Sequence, residues 1–356
     1  MKNKYLFFII FLCSTIIINS YSQKKDKKDY HAWWEGGYKW PKENPQAKIL
    51  PLIRVEGNKL INENGDTILF RGLNISDPDK IENQGYWSKY HFEKVKEMGA
   101  KIIRIPVHPI AWRERTPDKY LELLDEAVAW CTELEMYVII DWHTIGNLGM
   151  ELFQHEMYNT TKKETYEFWK NIAFHFRGHN TIAFYEIFNE PTLFRGMLGS
   201  MTWAEWKKIN EDIINIIRSM DKETIPLVAG FDWAYDLNHL HYDPVDAENI
   251  AYVTHPYPMK RKEPWPPKWE ENFGFAADKY PIIATEIGFR LKEDELVDEN
   301  HYGNIITKYL ESRGIGWVAW VFDPEWRPNM LKSWDTYELV GHGVFFKEAL
   351  QREPNK

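Results

Sequence analysis

The sequence predicts an α/β protein whose parallel strands close into a (β/α)8 barrel, preceded by an N-terminal β-hairpin. Short runs rich in β-branched residues alternate along the chain with longer segments of helical periodicity. Eight such units over about 290 residues fit a closed barrel better than an open sheet. The composition, 44% hydrophobic and 27% charged residues, is typical of a globular protein.

Eight segments have the composition of buried strands. They are Ile68–Asn74, Ile102–Val107, Tyr137–Trp142, Ala183–Phe188, Pro226–Gly230, Ile250–Thr254, Ile282–Thr285 and Gly316–Val321. Turn dipeptides at Gly57-Asn58 and Asn64-Gly65 predict the hairpin that precedes them.

Helical patterns occupy most of the intervals between these strands. They are Ser88–Met98, Asp118–Leu134, Lys163–Phe176, Thr202–Met220 and His301–Arg313, with a short last helix within Val344–Arg352. Ser88, Asp118 and Thr202 are the residue types that cap helix N-termini. The pattern after the fifth strand is weak.

The N-terminus has the pattern of a secretory signal over residues 1–22. Lys2 and Lys4 precede an apolar run that ends before the small-x-small site Ser20-Tyr21-Ser22. The run is short and interrupted, so we expect export rather than stable membrane insertion; a lipoprotein signal at Cys13 stays open as an alternative. Residues 23–50 then form a tether and an aromatic arm, residues 51–356 form the main domain, and the destination is the periplasm, the cell surface or the medium.

Charge and aromatic content narrow the class of partner. The net charge is −9, and −11 after removal of residues 1–22, which carry two lysines and no acid. Such a protein is a poor partner for nucleic acid. The chain has 17 Trp, 19 Tyr and 19 Phe, and aromatic rings stack on sugars, although packing alone also accounts for many of them.

Polar and aromatic residues recur where the predicted strands end, which in such barrels is the active-site face. The sets are Arg71-Gly72-Leu73-Asn74, Arg104, Asp141-Trp142-His143, Asn189-Glu190-Pro191, His255-Pro256-Tyr257, Thr285-Glu286-Ile287-Gly288 and Trp320. Each residue alone has a structural alternative: a glutamate can be solvated or cap a helix, a histidine can be a core residue, and Arg71 can form an ion pair in the barrel floor. Together they predict a site.

Cleavage of a glycosidic bond explains this set of residues. The reaction needs a carboxylic acid that protonates the leaving oxygen and a carboxylate on the other side of the bond. Glu190 and Glu286 follow strands four and seven, on opposite sides of the ring. Glu190 would need a raised pKa, whereas Glu286 would stay ionised beside Arg104.

Three further residues have expected roles in this chemistry. Tyr257 would orient Glu286, Asn189 would bind the sugar 2-hydroxyl, and Trp320 would stack under the sugar.

These motifs, with Phe188 before Asn189 and Trp317-Val318-Ala319 before Trp320, resemble glycoside hydrolase family 5 from about Leu52 to the C-terminus. The resemblance implies Glu190 as acid/base, Glu286 as nucleophile, retention of configuration and no cofactor. It also implies a surrounding site, for which the candidates are Arg104, His143, Asn189, His255, Tyr257, Trp320, Trp142 and Trp326. Its cellulase-like members suggest an endo-β-1,4-glucanase that acts on a polysaccharide or oligosaccharide.

Three long loops leave the glycan open. They are Thr144–Tyr158, Lys260–Trp269 and the acidic, aromatic segment Val321–Met330 that carries Trp326. A β-mannanase and an exo-acting β-glucosidase therefore remain alternatives.

Two classes of protein compete with this hypothesis. One is a metal-dependent barrel hydrolase with ligands among His108, Asp141, His143, His155 and His255, although no His or Cys cluster has metal-ligand spacing. The other is a non-catalytic glycan-binding barrel, which would not need the glutamate pair.

Overall fold

The computed structural model describes residues 49–291 and 297–353. The predicted signal at residues 1–22, and all of the predicted arm 23–50 except its last two residues, lie outside this part of the chain. Within it, no helix is both long and apolar enough to cross a membrane.

Eight parallel strands form a closed barrel. In chain order, the strands of the described residues are β1 Ile53–Glu56, β2 Lys59–Asn62, β3 Arg71–Ile75, β4 Ile102–Val107, β5 Tyr137–Trp142, β6 Ile145–Asn147, β7 Leu152–Phe153, β8 Ile182–Glu186, β9 Glu190–Pro191, β10 Ile225–Ala229, β11 Ala251–Val253, β12 Ile282–Ile287 and β13 Gly316–Phe322. The barrel order is β3-β4-β5-β8-β10-β11-β12-β13, closed by the pairing of β13 with β3. The predicted fold class is confirmed, and each predicted barrel strand overlaps an observed one.

Helices surround the barrel. They are α1 Pro78–Asn83, α2 Lys89–Glu97, α3 Pro109–Arg115, α4 Pro117–Glu133, α5 Lys162–Phe176, α6 Trp203–Met220, α7 Phe231–Ala234, α8 Trp265–Asn272, α9 Tyr302–Ser312 and α10 Gly341–Gln351. The weak pattern after the fifth strand corresponds to α7, a single turn in which Asp232 and Trp233 have left-handed φ angles.

The predicted helix caps had three different outcomes. Thr202 forms a full capping box with Glu205 at the start of α6. Ser88 precedes α2, but its side chain makes no capping hydrogen bond. The assignment of Asp118 was wrong: α4 begins at Pro117 after Thr116, because proline is well suited to the first helical position, and Asp118 lies in the first turn.

The inside of the barrel is apolar near the N-terminal ends of the strands. One cluster joins interior side chains such as Ile102, Ile139 and Phe184 to Ile53 and Leu60 of the hairpin. The β1–β2 hairpin is antiparallel and turns at Gly57-Asn58, as predicted. It therefore covers the bottom of the barrel and leaves the opposite end open for a site.

Candidate active site

The polar residues at the mouth follow from strand alternation. Residues two positions apart on a strand share a face, and on six of the barrel strands an interior apolar residue is followed two positions later by a polar or aromatic one. The pairs are Ile102 and Arg104, Ile139 and Asp141, Phe184 and Glu186, Val253 and His255, Ile283 and Thr285, and Val318 and Trp320. An apolar floor thus supports a buried layer of site residues.

Arg104 is the hub of this layer and is fully buried. Its guanidinium donates two hydrogen bonds to Glu186 at 2.7 and 2.9 Å and one to Glu286 at 2.9 Å. It also bonds the side-chain oxygens of Asn74 at 2.9 Å and Asn189 at 2.7 Å. Burial opposes its charge, but the surrounding carboxylates raise the pKa of Arg104 above its ordinary value.

Glu286 is held by side chains on both of its oxygens. Oε1 accepts from Arg104, and Oε2 accepts from the Tyr257 hydroxyl at 2.8 Å. Burial raises the pKa of Glu286, while His255, Arg104 and the Tyr257 hydrogen bond act in the opposite direction. Burial outweighs these contacts, so the pKa of Glu286 lies above its ordinary value, and the contacts with Arg104, His255 and Tyr257 limit that rise.

His255 connects the two predicted catalytic glutamates. Its Nδ1 lies 3.1 Å from Oε1 of Glu190 and 3.9 Å from Oε2 of Glu286, and its Nε2 lies 3.0 Å from Oγ1 of Thr285. Burial lowers the pKa of His255, but Glu286, Glu186 and Glu190 outweigh it and raise that pKa to about 9. The ring is therefore a cation at neutral pH and donates from both nitrogens.

The two glutamates are close together. One ligand atom from each of Glu190, His255 and Glu286 lies within 4.8 Å of the other two. The same geometry could hold a metal ion, and within the described residues this is the one such group found. Its atoms already have hydrogen-bond partners, which explains the cluster without a metal.

An aromatic wall completes one side of the mouth. The rings of His143 and Trp320 are parallel with centroids 5.5 Å apart, and Trp326 is parallel to Trp320 at 5.7 Å. Nδ1 of His143 lies 2.6 Å from Asp141. Burial, with the charges of His108, Arg104 and His255, lowers the pKa of His143 well below its usual value, so the ring is neutral. Its Nδ1–H then donates to Asp141, which leaves Nε2 as an acceptor.

A cleft of about 1530 Å³ opens beside Glu190. Glu190, Tyr257, Trp233 and Lys260 all line it. The Lys260 ammonium lies 4.7 Å from the centre of the Trp233 ring and donates to the Asp232 carbonyl at 2.7 Å. Aromatic and polar side chains of this kind suit a sugar chain.

Most of the predicted site residues meet in this mouth. Arg104, His143, Asn189, Glu190, His255, Tyr257, Glu286, Trp320 and Trp326 all lie within the contacts described above. Asn189 keeps only its amide N–H groups for a ligand, because Arg104 occupies its oxygen.

The structure corrects the interpretation of Trp142 and decides between the two roles left open for Arg71. Trp142 is fully buried on the outside of the barrel, stacks on Phe168 and donates to Thr165, so it does not reach the mouth. Arg71 lies at the N-terminal end of β3 and bonds the carbonyls of Ala349 and Arg352. Of its two possible roles, the structural one is confirmed.

Two site residues were missed. Glu186 is fully buried inside the barrel and makes the bidentate contact with Arg104. Its signal was a charged residue within an otherwise apolar predicted strand. His108 was considered only as a metal ligand, yet its Nδ1 lies 2.8 Å from Asp77 and its ring contacts His143 and Trp326.

The closed barrel and the glutamate pair at its mouth define the protein as a glycoside hydrolase barrel. Residues 61–325 match the cellulase family, glycosyl hydrolase family 5. The chain belongs to this family, as the sequence motifs indicated.

Relatives and solved structures agree with this assignment. The chain is 43% identical to a β-glucanase from Saccharophagus degradans crystallised with cellotetraose, with a TM-score of 0.83 over 89% of this chain and 98% of that one. It is 27% identical to endoglucanase A of Butyrivibrio fibrisolvens over 74% of this chain, and 25% identical to an endoglucanase of Clostridium saccharobutylicum over 84%. The chain spans 56% and 64% of the lengths of these two relatives.

Proposed function

We propose that this protein is a secreted glycoside hydrolase that cleaves β-linked glucan with retention of configuration, as an endo-β-1,4-glucanase. Glu286 is the nucleophile and Glu190 is the acid/base. The observation that carries the proposal is the proximity of the two glutamates, with carboxylate oxygens within 4.8 Å of each other. Retaining enzymes have carboxyl groups about 5–5.5 Å apart, whereas inverting enzymes need about 6.5–9.5 Å to admit a water.

The different surroundings of the two glutamates support their assigned roles. Glu286 is fixed by hydrogen bonds from Arg104 and Tyr257, which stabilise its ionised form and aim it as a nucleophile. Glu190 is the more exposed of the two side chains, 12% against 7%, and it lines the cleft. Since the acid protonates the leaving group, the cleft on its side would hold the leaving sugar units.

The substrate proposal depends on the relatives. The names of the bacterial relatives describe endoglucanases, and the 43% identical structure contains cellotetraose. A glucan is also compatible with the aromatic side chains that line the mouth.

A product profile tests both substrate and chemistry. Purified protein and its Glu286→Ala variant are incubated with carboxymethyl-cellulose, mixed-linkage β-glucan, xyloglucan, glucomannan, galactomannan and xylan. We expect wild type alone to release oligosaccharides from a β-glucan, with NMR showing the β-anomer first. Release from mannans alone would replace the glucanase assignment, an α-anomer would contradict retention, and silence on every glycan would contradict the endo-β-1,4-glucanase assignment.

Export is tested separately. Mass spectrometry of the protein recovered outside the cytoplasm should show an N-terminus at Gln23 if residues 1–22 are a cleaved signal. Retention of the whole chain in the cytoplasm would contradict secretion without affecting the proposed chemistry.

A further inference from the structure

The backbone that carries Glu190 is paired with the loop that follows β5. Strand β9, which begins at Glu190, runs parallel to β6 with Ile145 opposite Glu190 and Gly146 opposite Pro191. The Glu190 N–H donates to the Thr144 carbonyl at 3.1 Å, and the Thr192 N–H donates to the Gly146 carbonyl at 2.9 Å. Backbone hydrogen bonds on both sides therefore fix the position of Glu190.

The second strand of this loop approaches Gly146 closely. Strand β7 pairs antiparallel with β6, with Phe153 opposite Gly146. A Cβ atom at Gly146 would lie 2.5 Å from the Leu152 carbonyl oxygen and 2.7 Å from Cα of Phe153. Because both are backbone atoms, any side chain at residue 146 must displace one of the paired strands.

Asn147 ties the same loop to the segment that follows Glu190. Its side chain is fully buried, and its Nδ2 donates to the carbonyls of Leu198 at 2.9 Å and Ser200 at 3.3 Å. Its Oδ1 accepts from the Met150 N–H at 3.2 Å. The amide thus connects the loop after β5 to the segment that follows Glu190.

The contacts of Gly146 and Asn147 act on Glu190 and not on Glu286. Glu286 is held by the side chains of Arg104 and Tyr257, neither of which belongs to this loop. Within residues 49–291 and 297–353, the carboxyl of Glu190 has a hydrogen bond to His255 alone. Its position therefore depends more on its backbone.

We propose that Gly146 and Asn147 are positioning residues for the acid/base Glu190, an inference that rests on the proposed function. In the first step the Glu190 carboxyl gives its proton to the glycosidic oxygen as the C1–O bond breaks and the bond from C1 to Glu286 forms. In the second step a water molecule gives a proton to the Glu190 carboxylate while the water oxygen forms a bond to C1. The bond from C1 to Glu286 breaks, and Glu286 is released as a carboxylate. Displacement of the Glu190 backbone slows proton transfer in both steps and leaves the nucleophile in place.

Leaving-group dependence separates this role from a general structural one. 2,4-Dinitrophenyl β-cellobioside needs no proton on its leaving group, whereas cellotetraose does. The variants are Gly146→Ala and Asn147→Ala, and the matched control is Leu152→Ala, which removes a 43% exposed side chain from the same hairpin. A fluorinated cellobioside that labels the nucleophile counts the active sites in each preparation.

For Gly146→Ala we expect kcat/KM on cellotetraose to fall about 10- to 100-fold, while kcat/KM on the dinitrophenyl substrate changes less than about threefold. The kcat on the dinitrophenyl substrate falls after an initial burst, and azide, which needs no general base, restores it. Asn147→Ala shows the same pattern with smaller changes, and Leu152→Ala matches wild type.

Two results would overturn the proposal, each judged on kcat/KM per labelled active site. One is an equal loss on both substrates in both variants, and the other is no loss on either substrate in both variants. If Gly146→Ala does not fold, the Asn147→Ala comparison decides. Failure of the proposed function looks different, because wild type would then turn over neither substrate, or Glu286→Ala would remain active.

Discussion

Arg104 donates from Nη1 to Oε1 of Glu286 at 2.9 Å, in a place where the arginine is fully buried. The same guanidinium makes a bidentate contact with Glu186 and lies 3.0 Å from Asp141. One cation therefore compensates several buried acids, and the nucleophile is part of that network. Stability and catalysis depend on the same group.

Replacing Arg104 should damage both properties. Arg104→Met leaves the buried carboxylates of Asp141 and Glu186 without their guanidinium partner, so we expect a loss of about 3–5 kcal/mol in the free energy of unfolding at pH 7. We expect kcat/KM to fall by about 10²-fold or more, since Glu286 loses a charged hydrogen-bond donor. Arg104→Lys keeps the charge but not the fork geometry of the guanidinium. Its stability and its kcat/KM should therefore lie between those of wild type and those of Arg104→Met. Urea unfolding and initial rates on β-glucan measure both, and a stable, active Arg104→Met variant would contradict the interpretation.

Tyr257→Phe should move the acid limb of the pH profile. The hydroxyl bonds the ionised form of Glu286 and so lowers its pKa. Its removal raises that pKa, and the pH at which kcat/KM falls on the acid side should rise by about one unit. Tyr309→Phe is the control, because the Tyr309 hydroxyl donates to Glu270 of α8 and not to Glu286. An unchanged acid limb in Tyr257→Phe would mean that Glu286 does not set it.

His255 should make the folded state less stable at alkaline pH. Its pKa is about 9 in the folded protein, against 6.5 for an ordinary histidine. The stability contributed by its charge is complete below pH 6.5 and is lost as the pH rises through 9. Between pH 6 and 10, wild type should therefore lose on the order of 3 kcal/mol more than His255→Gln. Urea unfolding at a series of pH values measures this, and parallel curves for the two proteins would rule out the charged histidine.

Chelation of metals should leave the activity intact. Both ring nitrogens of His255 have hydrogen-bond partners, and the protonated ring has no free lone pair for a metal. After dialysis against EDTA we expect kcat and KM on β-glucan to stay within error of the untreated protein. Loss of activity that Zn²⁺ restores would instead support the metal-dependent alternative.

Strand alternation explains which parts of the site the sequence could predict. The sequence predicted Glu190 and Glu286 because each follows a predicted strand and lies within a distinctive short motif. Asp141 and His143 point into the barrel, so Trp142 between them points outward. Strand alternation would therefore have excluded Trp142 from the predicted site. Glu186 has no motif, and its role depends on Arg104, 82 residues away in sequence.

The loop Thr144–Tyr158 shows what local patterns leave out. The sequence indicated a long loop at the mouth, but not that it forms a three-stranded sheet with the Glu190 segment. Strands of two or three residues carry too little periodicity to detect, and their pairing depends on contacts with Glu190 and Pro191, more than 40 residues away.

Trp326 should contribute binding rather than chemistry. Its ring is parallel to Trp320, and its loop is fixed because Asp323 accepts from the Trp326 N–H at 2.7 Å and from the Lys80 ammonium at 2.6 Å. The Lys80 ammonium also lies 5.5 Å from the centre of the Trp326 ring.

Loss of the ring in Trp326→Ala should raise KM for cellotetraose roughly tenfold with little change in kcat, because no reacting group is removed. Lys80→Met should raise KM in the same direction by a smaller factor, since the ring remains but its loop is released. Lys332→Met is the matched control, because its pair with Glu338 is exposed. A fall in kcat at constant KM in Trp326→Ala would show instead that this ring aligns the glutamates, because stacking that contributes equally to the bound substrate and the transition state changes KM alone.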